Sequence, residues 1–186
     1  MNANQGQTVD TLEIRKEITI KAPIELTFEA LLEEIGPESQ MLDGKPMPLT
    51  LEAWPGGRWF RDLGDNSGHL WGHVQAIKRP TLLEFTGPLF ASYPLVSNVQ
   101  YRLTEAGGVT KIAFRHTALG FIQDEHKGGV VNGWASMLER IRKAAENKLH
   151  TPSKAGNITQ NRRSKCVQYA WQPRRGSPPP QSPPAA

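Results

Sequence analysis

Two histidines four residues apart, His69 and His73 in the segment HLWGH, have the most conspicuous spacing of potential metal ligands. On a helix, that spacing would place both imidazoles on one turn. The segment instead alternates like a strand, where four residues span about 13 Å. That is too far for one metal, whose bonds to nitrogen are about 2 Å long. No metal site is therefore predicted, and both histidines are expected at the surface or at the rim of a binding site.

A third histidine, His116, follows Ile112 and Phe114 on the apolar side of another predicted strand. It is either a hydrogen-bonded core residue or the polar group of a pocket, where it could act as an acid or base near neutral pH. Asp124 and Glu125 precede a long helix, and Asp124 is expected to be its N-cap. No Ser or Cys nucleophile with a recognisable base and no glycine-rich phosphate loop occurs, so no catalytic residue and no cofactor is assigned.

Tryptophans are the richest source of apolar binding surface, although each one could equally be part of the core. The four in question are Trp54, Trp59, Trp71 and Trp134.

The longest helical pattern runs from Gly128 to Leu149. Its apolar stripe needs a large covering surface, and Arg140 is expected on the opposite, solvent-facing side. Gly133 costs about 1 kcal/mol in a helix interior, which a close approach to a neighbouring sheet would explain. The stripe recurs at steps of three and four: Val131, Trp134, Leu138, Ile141, Ala145 and Leu149.

Upstream of this helix, the pattern predicts a strand, a short helix and a run of strands. Leu12 to Lys21 alternates apolar and charged residues, and Pro23 to Ile35 carries a shorter helical stripe that Gly36-Pro37 ends. Residues 36–48 are expected to form a loop. Six further strands with short connections complete the series: 49–54, 58–63, 69–78, 81–86, 97–104 and 109–118.

The order of these elements predicts an α+β fold, in which a twisted antiparallel sheet of six to seven strands wraps on the C-terminal helix. A wedge between sheet and helix is a natural place for a pocket. In strand 69–78 the small apolar residues at even positions are expected to face the core, with the histidines outside. The alternative has Trp71 and His73 facing a ligand.

The ends of the chain differ from its middle. Residues 151–186 hold seven of the 15 prolines and six basic residues without an acidic one. We expect a flexible segment over 1–11, one domain over 12–149 and a disordered basic tail over 150–186. Because the 18 acidic residues all precede residue 150, the body is slightly acidic, and nucleic acid is not expected as a partner. Without a run of 18 apolar residues, no membrane insertion is expected, and the predicted location is the cytoplasm.

Several short motifs resemble one known superfamily. The segment from Ile18 to Phe28 resembles the opening strand and helix of the START-like helix-grip (SRPBCC) superfamily. The segments 55–59, 72–80 and 83–85, with Gly133-Trp134, are similar to its branch that includes the C-terminal domain of the Hsp90 ATPase activator homologue. The resemblance covers residues 12–149 and implies a cavity between sheet and final helix, often for small apolar or amphipathic molecules.

The first functional hypothesis is therefore non-catalytic binding of a small apolar or amphipathic molecule between the sheet and the final helix. The alternatives are a protein-interaction module of the Hsp90 co-chaperone type and a cyclase- or hydrolase-like enzyme that uses a pocket histidine. The expected ligand-binding residues are Trp54, Trp59, Trp71, His73, Phe85, His116, Trp134, Leu138 and Ile141.

Overall fold

A computed structural model of the protein describes residues 9–122 and 124–150, without the side chains of residues 125 and 126. Of the predicted disordered tail, only His150 is described, as the last residue of α2; residues 151–186 and most of the predicted flexible N-terminal segment lie outside the described residues. The elements follow the predicted order: β1 (Asp10–Ile20), α1 (Ile24–Glu34), β2 (Thr50–Leu51), β3 (Arg58–Gly64), β4 (Ser67–Lys78), β5 (Leu82–Gly87), β6 (Leu95–Ala106), β7 (Val109–Gly120) and α2 (Asp124–His150).

The seven strands form one antiparallel sheet in the order β1-β7-β6-β5-β4-β3-β2. Strands β2 to β7 are a meander, and β1 pairs with β7 along its whole length, from Asp10 opposite Gly120 to Ile20 opposite Thr110. The β6–β7 connection is a two-residue turn, Gly107-Gly108, in which both residues have positive φ, as tight hairpins require. This arrangement confirms the predicted α+β helix-grip fold.

The core lies between the sheet and α2. Leu138, Ile141 and Ala145 of the helix are almost fully buried, and they belong to the same apolar cluster as Ile112 and Phe114 of β7. The helix begins at Asp124, earlier than the Gly128 at which its strongest periodicity starts. No helix in the described ranges combines the length and the apolar character that a membrane crossing needs.

The start of α2 is tied to the edge of the sheet. The ammonium group of Lys127 donates to a carboxylate oxygen of Asp10 at 2.6 Å and to one of Asp124 at 2.8 Å. Asp124 is the first residue of α2, whereas an N-cap would be the residue before it, so the predicted N-cap role is wrong. Its carboxylate instead pairs with Lys127 in the first turn of the same helix.

Strand β4 departs from simple alternation, and the expectation that its even-numbered apolar residues face the core together is wrong. Trp59 pairs with Gly72 and Phe60 with Leu70, so Trp71 is the extra residue of a β-bulge. A bulge reverses which side of the sheet the following residues face. As a result Trp71 is buried and Leu70 is 43% exposed.

A second irregularity in β4, between Val74 and Ala76, occurs against β5. Val74 is buried, and Ile77 packs against the same core as Trp71. His73 is exposed, in agreement with the prediction that the histidines of this strand face away from the core. The large inward-facing side chains of this strand, Trp71, Val74 and Ile77, are therefore three residues apart rather than two.

Helix α1 is anchored to the sheet by Trp59. The indole N–H of this fully buried residue donates to the backbone carbonyl of Ile35, just past the end of the helix, at 2.7 Å. Carbonyls at a helix C-terminus have no partner within the helix. The bond therefore satisfies a buried acceptor and holds the Trp59 ring in one orientation.

Replacing Trp59 by Phe is expected to lower the free energy of unfolding by about 2 kcal/mol, because the buried Ile35 carbonyl loses its donor. Trp54→Phe is the matched control, since Trp54 is 56% exposed and its loss should change stability by less than about 0.5 kcal/mol. Urea denaturation of both variants measures the difference. Equal stabilities of the two variants would contradict this role of the Trp59 indole.

Candidate functional site

A cavity of about 340 Å³ lies under the N-terminal half of α2. Its walls come from the helix, from strands β3 and β4, and from the loops that follow α1 and β5. Most lining side chains are apolar. The lining residues are Gln40, Met41, Leu42, Met47, Trp59, Trp71, Leu89, Phe90, Gly129, Val130, Gly133, Trp134, Met137 and Arg140.

Aromatic rings in mutual contact form the sheet side of this cavity. The Trp59 and Trp71 ring centroids are 4.9 Å apart at 74°, an edge-to-face arrangement, and Trp71 is 6.1 Å from Phe90. Phe85 packs behind Trp59 at 4.5 Å without lining the cavity. Such contacts stabilise the fold by about 0.5–1.5 kcal/mol per pair beyond the burial of apolar area. We therefore expect this wall to have the same structure with and without a ligand.

Trp134 forms the helix side, and His116 positions it. The Trp134 indole N–H donates to Nδ1 of His116 at 3.0 Å, and the Trp134 ring lies 4.9 Å from that of Phe114. Because Nδ1 accepts this bond, the neutral imidazole carries its proton on Nε2. His116 is 2% exposed, and this burial lowers its pKa to about 4. It lies outside the main cavity and borders a second space of only about 10 Å³.

Arg140 provides the charged end of the cavity, contrary to the expectation that it faces solvent. Its Nε donates to Glu34 of α1 at 3.1 Å and its Nη1 to the Ser136 hydroxyl at 2.9 Å. Burial raises the pKa of the Glu34 carboxyl, and the bond from Arg140 opposes that rise. The residue thus lies between the two helices, because α1 occupies space that the α2 periodicity alone assigns to water.

The residues of α2 that line the cavity form a stripe along the helix, next to the stripe that is buried in the core. Gly129, Gly133, Met137 and Arg140 recur at steps of four, four and three and face the cavity. Sequence periodicity identified the adjacent core stripe, where Leu138 and Ile141 are buried beneath the helix and do not line the cavity. The sequence feature that could have indicated the cavity-facing stripe is its residue types, two glycines followed by the flexible side chains of methionine and arginine.

The glycines of α2 do not serve close packing, so the expected approach of Gly133 to the sheet is wrong. Among the described residues, no heavy atom lies within 4 Å of a Cβ atom added at Gly128, Gly129 or Gly133. Gly129 and Gly133 both line the cavity. These two residues widen the cavity at a cost to the helix of about 1 kcal/mol each.

Residues in loops form the mouth, and the sequence did not predict them. Met41, Leu42 and Phe90 line the cavity and are 45%, 64% and 41% exposed. The sequence feature that could have identified them is the presence of large apolar residues in proline-containing loops. Their number at one mouth indicates a surface suited to apolar molecules.

Of the predicted binding residues, the structure brings Trp59, Trp71 and Trp134 together around the cavity. Trp54 and His73 lie outside its lining. In the described part of the chain, no three His, Cys, Asp or Glu side chains converge as a metal site would require.

Acidification is expected to destabilise the protein through His116. The imidazole is neutral in the folded state down to a pKa of about 4, whereas the unfolded chain binds a proton below 6.5. Unfolding therefore takes up a proton in this window, and the full loss is about 3 kcal/mol. Urea denaturation across this pH range measures it.

His116→Gln should flatten this pH dependence, because the amide oxygen can still accept from Trp134 and the side chain does not titrate. His73→Gln is the control, since it removes an exposed histidine. A pH dependence of His116→Gln identical to that of the wild type would refute the assignment.

Among curated proteins no match was found, but solved structures share the fold. A protein from Rhizobium leguminosarum is 16% identical with a TM-score of 0.57, covering 75% of this chain and 97% of that one. Mll3558 from Rhizobium loti is 18% identical with a TM-score of 0.58, covering 74% and 99%. The di-domain ARO/CYC protein StfQ of the steffimycin biosynthetic pathway is 10% identical with a TM-score of 0.54, covering 76% and 52%.

These identities show a common fold and nothing about activity. The family model described as Activator of Hsp90 ATPase homolog 1-like protein matches residues 21–146, which is nearly the whole described domain. The resemblance predicted from the short motifs is thereby confirmed. The chain belongs to the Activator of Hsp90 ATPase homolog 1-like family.

Proposed function

We propose that this protein binds a small apolar or amphipathic molecule between the sheet and α2 and does not transform it. The observation that carries the proposal is the cavity of about 340 Å³ with its mostly apolar lining. Pockets for small ligands hold about 300–1,000 Å³ and combine apolar walls with few polar groups. The cytoplasm, expected from the sequence, is the compartment in which we place this activity.

The glycines of α2 support the proposal independently of the volume. Alanine at Gly129 and Gly133 would strengthen the helix by about 2 kcal/mol in total, and its methyl group would meet no atom of the described residues. Retaining cavity width is a physical reason for both.

The mouth supports the proposal as well. Met41 and Leu42 on one side and Phe90 on the other are exposed apolar side chains at the edge of an apolar cavity. A ligand's apolar part can contact them before it enters. Methionine and leucine side chains are flexible enough to close over ligands of different outline.

Catalysis by His116 has less support. Its Nδ1 is occupied by Trp134, its Nε2 is buried, and the residue does not line the main cavity. A general acid or base must come within hydrogen-bond reach of the reacting group. His116 instead serves to orient a wall of the cavity.

A protein-interaction role is the second candidate, favoured by the exposed Trp54 beside the ion pair of Arg58 and Glu52. Exposed tryptophans are frequent energetic centres of interfaces. An Hsp90 ATPase assay with the wild type and Trp54→Ala tests it. Stimulation that Trp54→Ala abolishes would support this role, and absence of both binding and stimulation would remove it.

The binding proposal is tested by filling the cavity. Leu at Gly133 would project into the lining, whereas Leu at Gly128, in equally open space but outside the lining, is the matched control. Titration of the full chain with the apolar dye 1-aminoanthracene is expected to show saturable binding to the wild type and to Gly128→Leu. Gly133→Leu should weaken it at least about tenfold, a loss of about 1.4 kcal/mol.

Dye binding of equal strength in Gly133→Leu and the wild type would place the site elsewhere. Failure of the wild type to bind the dye, together with no retained or added small molecule in native mass spectrometry against a broad panel, would refute the proposal.

A further inference from the structure

We propose that the preferred occupant of the cavity is an uncharged molecule with a flat ring body and a carbonyl group that accepts hydrogen bonds from Arg140. This inference rests on the proposed function and names its ligand class. It follows from three properties of the lining: unused donors at one end, a charge balance that is already complete, and aromatic walls.

The unused donors belong to Arg140. A guanidinium has five N–H groups and no acceptor. Three of them are engaged, by Glu34 at 3.1 Å, by Ser136 at 2.9 Å and by the Gln40 carbonyl at the long distance of 3.5 Å. Two N–H groups therefore have no acceptor within the part of the chain that the structure describes, on a side chain that borders the cavity. A ligand acceptor that reaches this side chain can bond to these N–H groups without displacing a protein bond.

The charge balance argues against a charged ligand. Arg140 and Glu34 are shielded from solvent, with side chains 19% and 11% exposed, and together they are neutral. A ligand carboxylate would leave two carboxylates on one guanidinium, and an ammonium group would face Arg140 itself. An unbalanced charge in such a place costs several kcal/mol by general estimates.

The wider surroundings of Arg140 point the same way. Glu33 and Glu38 both lie near enough to contribute to the raised pKa of Glu34, although burial is the larger cause. Lys148 pairs with Glu33 at 2.8 Å and offsets that charge. Among these groups, the positive charges of Arg140 and Lys148 are each paired with a carboxylate, so no positive charge is left over for an anion. A neutral carbonyl takes the two N–H groups without changing the balance.

The aromatic walls set the shape of the ligand. Trp71 contacts both Trp59 and Phe90 on one side of the cavity, and Trp134 lies on the α2 side. Aromatic rings prefer offset-stacked or edge-to-face contacts with ring centroids about 4.5–7 Å apart. A flat ring system can make such contacts with several of these residues at once, whereas a flexible chain would have to lose conformational entropy on binding.

A matched series on one ring system tests the ligand class. The probes are 2-acetylnaphthalene, 2-ethylnaphthalene and 2-naphthoate, titrated into the full chain with tryptophan fluorescence and calorimetry as readouts. The ketone is expected to bind roughly tenfold more tightly than the hydrocarbon, the effect of a net hydrogen bond to a charged donor. The carboxylate should bind more weakly than the ketone.

The double variant Arg140→Gln with Glu34→Gln removes both charges together and leaves no buried charge unpaired. It should lower the ratio of ketone affinity to hydrocarbon affinity well below the roughly tenfold expected for the wild type. Arg142→Gln is the matched control, because Arg142 is on the same helix, pairs with Glu139 and lies outside the lining. It should keep the wild-type preference.

Tighter binding of the naphthoate, or equal affinities of ketone and hydrocarbon for the wild type, would overturn the inference without any variant. If 1-aminoanthracene binds but none of the naphthalenes does, the ligand class is wrong and the proposed function stands. If the dye also fails to bind, the proposed function itself is wrong.

Discussion

The structure depends on how α2 is buried against the sheet. Leu138, Ile141 and Ala145 are covered almost completely, and their burial holds the helix on the inner face of the sheet. Burying a large apolar side chain stabilises a fold by about 1.5–3 kcal/mol. Towards its N-terminus, the same helix presents Gly133 and Gly129, which have no side chains to fill the space below them. The interface is therefore filled towards the C-terminus of α2 and only partly filled towards its N-terminus, where Val130, Trp134 and Met137 are buried beside the cavity.

Two polar contacts hold side chains that border the cavity: the Trp134–His116 hydrogen bond and the Arg140–Glu34 ion pair. The bond from the Trp134 indole to His116 fixes the orientation of a ring that lines the cavity. The pair of Arg140 with Glu34 joins α2 to α1 at the polar end, and Glu34 is mostly buried. Each contact has a structural role, and each also determines what the cavity offers a ligand. Binding surface and stability are thus coupled here.

Much of the fold could be predicted because its signals are local. Alternation in the strands, the apolar stripe of α2 and the proline and glycine breaks depend on neighbouring residues in the chain, and the observed elements follow them closely. The candidate site could be predicted only in part. Trp59, Trp71 and Trp134 were identified from their residue type. Met41, Leu42 and Phe90 are in loops, whose positions no periodicity determines.

What the sequence by itself determined is the order of elements, the sheet with one buried face and the helix that covers it. Only the tertiary structure decided which faces enclose the cavity. The β-bulge at Trp71 turns that ring inward because pairing with β3 shifts the register, a property of two strands together. Arg140 is shielded because α1 packs beside it. Periodicity describes one element at a time, whereas a cavity is made by the surfaces that several elements leave between them.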